Sequence, residues 1–263
     1  MRGLRFQPPE SFGRIRFVLV QPSHPGNVGA AARAMGVMGL SRLVVVQPRF
    51  ADVLAHPDAI AFASAGAGIL AKGLRCESLE EALEGVSLAV AVSASPREFG
   101  PVPQPPEAVA AMMFRELESD AAHEVALVFG PERTGLSIEA TQRCQALVSI
   151  PTASGDGSLN LAQAVQVLAY ALSMQAGSAD ASSADLPYAG RLASHEATER
   201  LFEHLERSMV AIGFIDPDHP KKLMPRLRRL LSRTRLEQEE VDLLRGICTQ
   251  IDRQVRAASR EKP

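Results

Sequence analysis

The sequence predicts an α/β protein with a mainly parallel sheet, followed by a smaller helical unit. Short, continuous apolar runs are typical of strands that are buried on both faces of a parallel sheet. These runs alternate with segments of helical character, as they do in α/β folds. The last part of the chain has helical patterns and no strand signal. The runs predicted as strands are 15–21, 43–47, 88–92, 125–129 and 147–150.

The helices predicted between the strands are rich in small residues. The first is 28–38, and Asn27 directly before it is a suitable N-cap. Gly36 and Gly39 near its end fit a turn back toward the strand at 43–47. The Ala- and Gly-rich segment 59–71 is predicted as one further helix.

Composition separates the C-terminal part from the rest. The stretch 176–190 consists of small and polar residues with two acids and no base, which is typical of a linker. We therefore predict a first domain at 1–175, a linker at 176–194 and a helical unit at 195–263. The helices predicted in that last unit are 195–213, 225–234 and 237–258.

Length and composition exclude several classes of protein. The chain has 263 residues, of which 46% are hydrophobic, enough for a sizeable core. It contains no apolar run long enough for a membrane helix, and its first residues lack the apolar core of a secretory signal. The net charge of −2 gives no overall attraction to nucleic acid, so any such contact needs a local basic patch.

The cysteines indicate reduced thiols. Cys76, Cys144 and Cys248 are odd in number, far apart and without the spacing of metal ligands. We therefore expect a cytoplasmic protein with no disulfide and no metal site.

Two strand-to-loop crossings predict a ligand pocket. The segments 127–137 and 150–172 each begin as an apolar strand and continue into a Gly-rich or polar loop, and the second loop opens directly onto a helix. Such loops present backbone N–H groups and leave space for a small polar ligand. Glu132, Ser158 and Asn160 are the polar side chains that stand out in them.

A third segment, 24–38, places a tight turn before the small-residue helix. The residues from Gly29 to Ala32 leave the helix surface bare, so another backbone or a partner subunit can approach closely. Arg33 is conspicuous in this setting. It can point toward the strand ends, where a helix N-terminus would also favour a phosphate, or it can form an ordinary surface salt bridge.

Three segments resemble the motifs of the SPOUT class of RNA ribose 2′-O-methyltransferases, in the order of that class. They read QPSHPGNVGAAARAMGVMGLSRLVVV, LVFGPERTGLS and VSIPTASGDGSLNLAQAVQVLAYAL, and the resemblance covers 15–175. The tail from 205 to 247 is similar to the C-terminal helical extension of the TrmJ family of tRNA methyltransferases. The resemblance therefore extends over nearly the whole chain.

The resemblance implies a trefoil-knotted domain that binds S-adenosylmethionine in the knot and forms a homodimer, which completes the active site. Plain packing at strand ends is the alternative explanation for the apolar and glycine positions concerned. Carried over residue by residue, the resemblance implies that the cofactor is bound by Val92, Ser93, Ala94, Gly130, Ile150, Gly157, Ser158 and Leu159.

The resemblance also implies a catalytic set, in which Arg33 matches the arginine of the first motif and Asn27, Glu132, Ser158 and Asn160 support it. Methyl transfer to a ribose hydroxyl is an in-line displacement that requires alignment and a route for the proton. A guanidinium is a poor general base at neutral pH. We therefore expect Arg33 to hold the adjacent phosphate, which orients the hydroxyl and offers a phosphate oxygen as proton acceptor.

The supporting residues have simpler explanations as well. Glu132 can orient Arg33 or a backbone amide, or it can be only a turn residue. Ser158 and Asn160 can serve only as caps of the helix that follows them.

A basic segment at 221–235 predicts an RNA contact. It contains seven Lys or Arg and no acid, in a chain that is otherwise slightly acidic. On a helix, Leu223, Leu227, Leu230 and Leu231 can share one face. The alternatives to RNA-backbone binding are a merely solvated helix and contact with a membrane surface. The residues predicted to contact RNA are Lys221, Lys222, Arg226, Arg229 and Arg233, together with Arg33.

Together these observations predict a cytoplasmic, homodimeric, S-adenosylmethionine-dependent tRNA ribose 2′-O-methyltransferase, with no membrane and no metal partner. The expected target is cytidine or uridine 32 in the anticodon loop. Two alternatives stay open, namely the same reaction on ribosomal RNA and a non-catalytic RNA-binding module. A dinucleotide-dependent oxidoreductase is disfavoured because no G-x-G-x-x-G follows the first strand.

Overall fold

The computed structural model describes residues 7–94, 100–153, 157–177, 191–234 and 236–260. It divides into two compact units, Met1–Asp185 and Leu186–Pro263. Most of the predicted linker, 178–190, lies outside the described residues.

Seven strands form a single sheet in the first unit, and all the pairings are parallel. The strands are β1 (Ile15–Val20), β2 (Arg42–Val46), β3 (Leu74–Cys76), β4 (Val86–Val92), β5 (Pro103–Gln104), β6 (Glu124–Phe129) and β7 (Ala146–Val148). Their order across the sheet is β3-β2-β1-β6-β4-β7-β5. All five predicted strands are present, which confirms the mainly parallel α/β fold. The sheet also contains β3 and β5, which were not predicted.

The continuous apolar runs are explained by burial on both faces of the sheet. Phe17 and its neighbour Val18 are both fully buried, yet they belong to separate core clusters on opposite faces. Phe17 stacks on Phe129 with a centroid distance of 5.8 Å. Because each strand position faces a hydrophobic layer, no polar alternation develops along the strands.

Seven α-helices occur among the described residues of the first unit. They are α1 (Pro25–Val37), α2 (Pro57–Ala63), α3 (Ala67–Lys72), α4 (Leu79–Ala82), α5 (Pro106–Ser119), α6 (Ile138–Gln142) and α7 (Leu161–Gly177). One core layer contains residues of α1, α2, α3, α5 and α7, and the other contains residues of α4. The sequence analysis did not predict α5, although its buried Val109, Met113 and Leu117 recur at helical spacing.

The predicted start of α1 is wrong by three residues. The helix begins at Pro25, with His24 as the N-cap residue, because proline at the first helical position has no N–H to leave unsatisfied. Asn27 therefore lies within the first turn and does not cap the helix. Its side chain remains available for contacts outside α1.

The small residues of α1 serve a contact within the chain. A Cβ added to Gly29 would lie 2.0 Å from the carbonyl oxygen of Ala59 in α2, so the two helix backbones touch at this point. The sequence allowed either another backbone of the same chain or a partner subunit to approach this helix closely. At Gly29 the approaching backbone is that of α2 in the same chain, so a partner subunit cannot occupy that position.

The prediction of one helix over 59–71 is also wrong. The chain breaks after α2, where Ser64 takes a φ of +46°, and passes through a 3-10 turn at Ser64–Gly66 before α3 begins. A Cβ on Gly66 would lie 2.5 Å from the carbonyl carbon of Ala32. The interruption thus lies where the chain passes against α1.

The second unit contains the three predicted helices, α8 (His195–Ala211), α9 (Leu223–Ser232) and α10 (Gln238–Arg260). Its small core is formed by Leu201, Ala197 and Val241, with Ala193. Arg228 of α9 donates to both carboxylate oxygens of Glu199, at 2.5 and 2.9 Å, and stacks over the ring of Phe202 at 4.4 Å. Arg228 therefore fixes α9 to α8.

An ion-pair cluster at the amino ends of the central strands gives a stability prediction. Glu124 accepts hydrogen bonds from Arg16 of β1 and Arg42 of β2. Burial raises the pKa of Glu124, but the hydrogen bonds and charges of the two arginines outweigh it and hold that pKa below its ordinary value of 4.5. Replacing Glu124 by Gln should lower the free energy of unfolding in urea by about 2 kcal/mol at pH 7.

The pH dependence of this effect has a definite sign. Because the pKa of Glu124 is depressed in the folded state, its contribution is present above pH 4.5 and is lost as the pH falls through the folded pKa. The wild-type and Glu124→Gln stabilities should therefore converge in acid. Glu118→Gln removes an exposed carboxylate from α5 and is the matched control. Equal stability of all three proteins at pH 7 would contradict the prediction.

Candidate active site

Hydrogen bonds join three loops of the first unit around one carboxylate. Glu132, in the loop after β6, accepts from the backbone N–H of Ser23 at 2.9 Å and from its hydroxyl at 2.6 Å. The side-chain amide of Asn27 donates to the other oxygen of Glu132 at 2.9 Å. Asn160, directly before α7, donates from Nδ2 to Oδ1 of Asn27 at 3.1 Å. The predicted residues Asn27, Glu132 and Asn160 thus form one network.

Asn160 has two roles at once. Its Oδ1 accepts from the backbone N–H of Ala162 at 2.9 Å, and its own N–H donates to Oε1 of Gln163 at 3.1 Å. These reciprocal bonds cap the start of α7. The capping explanation is therefore correct for Asn160, but it leaves Nδ2 free to bind Asn27. The hydroxyl of Ser158 donates to the carbonyl oxygen of Leu159 at 3.4 Å. This contact does not cap α7.

The hydrogen bonds determine the charge of Glu132. Burial raises the pKa of this carboxyl, but the hydrogen bonds from Asn27 and Ser23 outweigh burial and lower the pKa below its ordinary value. Glu132 is therefore ionised at neutral pH, with both oxygens already accepting hydrogen bonds. Such a carboxylate holds donors in place and is poorly suited to act as a general base.

A cavity of about 280 Å³ opens beside this network, between the carboxyl ends of β4, β6 and β7 and the start of α7. Ligands commonly bind at the carboxyl ends of parallel strands. All eight predicted cofactor positions line it, namely Val92, Ser93, Ala94, Gly130, Ile150, Gly157, Ser158 and Leu159. Glu132 also lines the cavity and so belongs to both the network and the pocket.

The sequence analysis missed part of the lining. Arg133, Thr134 and Gly135 follow Glu132 in the same loop, and Thr152 lies in the loop before α7. The sequence signal that could have identified them as lining residues was their position next to the motif residues already named. Phe129, Pro131, Leu161 and Ala164 complete the lining.

The cavity fits the cofactor that the resemblance implies. Val92, Ile150 and Leu159 give it an apolar wall suited to an aromatic base. Among the described lining residues there is no Cys, His or Lys, so an electrophilic methyl group would meet no strong nucleophile of the chain. The residues present are therefore compatible with S-adenosylmethionine.

Arg33 lies apart from the cavity. It is exposed on α1 and is not among the lining residues. It has no hydrogen bond or ion pair with any residue in the described part of the chain. Within one chain Arg33 therefore does not reach the cavity at the strand ends. The buried face of α1 carries Val28, Ala32 and Met35.

A basic stripe runs along α9. Lys222, Arg226, Arg229 and Arg233 follow one another at steps of four, three and four residues, which places them on one side of the helix. Arg229 is half-buried, and the other three are exposed, as is Lys221 before the helix. Leu223, Leu227, Leu230 and Leu231 share one face of α9, as predicted, although Leu230 on that face is 56% exposed.

The described residues contain neither a helix suited to span a membrane nor a cluster of metal ligands. None of their helices is both long enough and apolar enough to cross a membrane. No group of three or more His, Cys, Asp or Glu in the described ranges could hold a metal ion. Cys76, Cys144 and Cys248 are free thiols and are buried.

Comparison with known proteins identifies the family. Residues 14–170 match the SpoU rRNA Methylase family, and residues 196–260 match the C-terminal domain of the tRNA methyltransferase TrmJ. The chain is 43% identical over 256 residues to the tRNA (cytidine/uridine/adenosine-2′-O-)-methyltransferase TrmJ of Pseudomonas aeruginosa, covering 94% of this chain and 96% of that protein.

Two further relatives agree. The tRNA (cytidine/uridine-2′-O-)-methyltransferase TrmJ of Escherichia coli is 39% identical over 251 residues, covering 91% of this chain and 96% of that protein. The crystal structure of TrmJ from Z. mobilis ZM4 superposes with a TM-score of 0.74 at 27% identity, covering 90% of this chain and 98% of that one. The chain therefore belongs to the SpoU methylase family and, within it, to the TrmJ methyltransferases.

Proposed function

We propose that this protein transfers the methyl group of S-adenosylmethionine to a ribose 2′-hydroxyl of tRNA. The observation that carries the proposal is the position of Glu132, which lines the cavity and also joins the loops of all three motifs. The relatives from P. aeruginosa and E. coli carry names that specify tRNA ribose 2′-O-methylation.

In this reaction the residues of the chain act mainly by positioning. When bound, S-adenosylmethionine supplies an electrophilic methyl group on its sulfonium. The ionised Glu132 holds the loop after β1 through Ser23 and Asn27, and Asn27 holds Asn160 at the start of α7. The cavity wall and the three hydrogen-bonded loops therefore keep one fixed geometry, and alignment is what an in-line displacement most needs.

Arg33 belongs to this mechanism through a second copy of the chain. Its side chain lies outside the cavity of its own chain, so we assign it to the active site of a partner subunit in a homodimer. There it would hold the phosphate next to the target ribose and leave a phosphate oxygen to accept the proton.

Exposed apolar side chains support the homodimer. Val37 of α1 is 63% exposed, and Tyr170 and Met174 of α7 are each 54% exposed. The two helices pack against each other in the first unit. Exposed apolar surfaces commonly mark protein interfaces, and an interface on α1 and α7 would bring Arg33 of α1 close to a second chain.

The finer assignments rest on the family resemblance. We assign the target to cytidine or uridine 32 of the anticodon loop, the compartment to the cytoplasm and the chain topology to a trefoil knot. The three buried free thiols are consistent with a reducing compartment.

The decisive experiment is methyl transfer from labelled S-adenosylmethionine to unmodified tRNA transcripts, followed by nucleoside mass spectrometry. A 2′-O-methylated pyrimidine that maps to the anticodon loop would support the whole proposal. Ribosomal RNA is the second candidate substrate, because the family that matches 14–170 is described as rRNA methylases. Label in ribosomal RNA alone would favour it, and RNA binding without transfer to either would favour a non-catalytic module.

The basic stripe on α9 is proposed to bind the tRNA backbone. Replacing Arg226, Arg229 and Arg233 together by Gln should weaken tRNA binding and make it less sensitive to salt. Each lost phosphate contact removes about 0.7–0.9 from the slope of log K against log salt concentration, so the loss of three contacts should lower the slope by about 2–3. The measurement is tRNA affinity at several salt concentrations.

The matched control removes the same charge from α10. Arg245, Arg253 and Arg256 are exposed there, and their replacement by Gln should leave most of the affinity and of the salt slope intact. Equal losses in the two triple variants would mean that net charge, and not the stripe, governs binding.

A further inference from the structure

The described lining of the cavity carries two charged side chains, which are neighbours in sequence and differ in their contacts. Glu132 is turned inward, where Ser23 and Asn27 occupy its carboxylate. Arg133 is exposed, and it has no hydrogen bond or ion pair with any residue that the structure describes. The cavity therefore presents one positive side chain to whatever approaches it from solvent.

A short closed turn holds Arg133 at the cavity. The N–H of Gly135 donates to the carbonyl of Pro131 at 2.8 Å, and Gly135 takes a φ of +64°, a conformation that favours glycine. A Cβ on Gly130 would lie 2.2 Å from the backbone nitrogen of Leu136, so the two ends of the loop touch. Arg133 lies in the middle of this turn and is held at the cavity rim by its backbone.

The neighbouring carboxylate does not satisfy the guanidinium. Glu132 already accepts from the two Ser23 donors and from Asn27. A guanidinium has five N–H donors and no acceptor, and its planar fork matches the oxygens of a phosphate or a carboxylate. An exposed arginine beside a cavity, with the adjacent carboxylate of Glu132 engaged elsewhere, is therefore suited to bind an anion of the ligand.

We infer that Arg133 binds a backbone phosphate of the RNA substrate at the mouth of the cavity. The inference rests on the proposed function, since it takes RNA as the molecule that lies across the opening. RNA is favoured over the cofactor carboxylate for two reasons. Arg133 is exposed and so faces outward, and S-adenosylmethionine carries a sulfonium whose positive charge would be repelled by a guanidinium.

This assignment complements that of Arg33. Arg33 lies outside the cavity of its own chain, whereas Arg133 lines it. Two arginines of different origin, one from each subunit, would then hold the RNA backbone at one target ribose. Arg133 would act as a binding and positioning residue of the chain that supplies the cavity.

The first test compares Arg133→Gln and Arg133→Lys with the wild-type full-length chain. Affinity for an unmodified tRNA transcript should fall about tenfold in Arg133→Gln, the size expected for a lost charged hydrogen bond. The salt slope should fall by about 0.7–0.9. Arg133→Lys should retain the salt slope and recover part of the affinity. Binding of S-adenosylmethionine, measured by calorimetry, should stay within about twofold.

Arg115→Gln is the matched control. Arg115 is exposed on α5 in the same unit and does not line the cavity, so its replacement removes the same charge without the proposed contact. Its tRNA affinity and salt slope should equal those of the wild type.

The second test locates the phosphate. An RNA hairpin of the anticodon arm is synthesised with a single neutral methylphosphonate, placed at successive linkages. At one linkage the wild type should lose affinity while Arg133→Gln loses nothing further, because two changes to a single contact are not additive. Purely additive losses at every linkage would overturn the inference.

Other outcomes would also overturn it. Weaker cofactor binding with unchanged tRNA affinity would assign Arg133 to the cofactor carboxylate. Unchanged binding of both would make Arg133 an ordinary solvated side chain. Because these are binding measurements, they are separate from the methyl-transfer assay. A wild type that binds tRNA without methylating it would count against the proposed function alone.

Discussion

Replacing Arg33 by Ala should lower tRNA methyl transfer by about 100-fold to 10,000-fold, the range expected when a group that positions the substrate or assists proton transfer is lost. Binding of S-adenosylmethionine should stay nearly unchanged, because Arg33 does not line the cavity. Stability should also be retained, since the side chain is exposed and pairs with no described residue. Single-turnover transfer and cofactor calorimetry measure the two effects separately.

Two further variants make this prediction sharper. Arg33→Lys keeps a positive charge but loses the bidentate fork, so it should recover only a small part of the rate. Arg115→Ala removes an exposed arginine from α5 and should be fully active. A loss of cofactor affinity in Arg33→Ala would contradict the proposed role and would make Arg33 a structural residue.

Replacing Glu132 by Gln should lower kcat/KM by about 10-fold to 100-fold. The carboxylate accepts from Ser23 through one oxygen and from Asn27 through the other. A Gln side chain would place its own NH₂ group against one of these donors and leave that donor unsatisfied in a half-buried site. Such a loss costs about 1–3 kcal/mol, and each 1.36 kcal/mol corresponds to about tenfold in rate.

The controls for Glu132→Gln use its partners and a neighbour. Ser23→Ala removes the hydroxyl donor alone and should have a smaller effect, and the double variant should be less than additive because the two residues share one contact. Glu139→Gln changes an exposed carboxylate of α6 and should be nearly silent. Additive effects of Ser23→Ala and Glu132→Gln would contradict the network.

The lowered pKa of Glu132 predicts how the difference between wild type and Glu132→Gln depends on pH. Because that pKa lies below its ordinary value of 4.5, the hydrogen-bonded carboxylate contributes to stability above pH 4.5 and loses its contribution as the pH falls through the folded pKa. Wild type and Glu132→Gln should therefore differ most at neutral pH. Glu132 itself should give no titration in a rate profile between pH 6 and 8.

Local sequence features determined the fold class and the loops of the site. Continuous apolar runs such as 125–129 identify buried parallel strands, because burial on both faces removes polar alternation. The helix boundaries were less well determined. The first helix, α1, begins at Pro25 and not at the predicted residue 28. The segment 59–71, which was predicted as one helix, is interrupted where Gly66 packs against α1. The first correction depends on how the first turn of α1 is closed, and the second depends on what the segment 59–71 packs against.

The motif residues were identified from sequence, but their contacts were not. Asn27, Glu132 and Asn160 were named from the loop and helix patterns and then from the resemblance. The bonds among them exist because β1 and β6 pair and α7 begins at the same edge of the sheet. Arg133 was overlooked because an arginine in a polar loop is an unremarkable sequence feature. Only the closed turn and its place beside the cavity distinguish it.

The sequence by itself therefore determined the α/β class, the helical tail, the basic segment and the loops that line the cavity, since these are properties of contiguous residues. The tertiary structure alone decided that Glu132 is engaged by Ser23 and Asn27, that Arg33 stays outside the cavity and that the exposed Arg133 lines it. The physical reason is that side-chain direction and partners depend on strand order and on the convergence of loops more than a hundred residues apart, which no local pattern encodes.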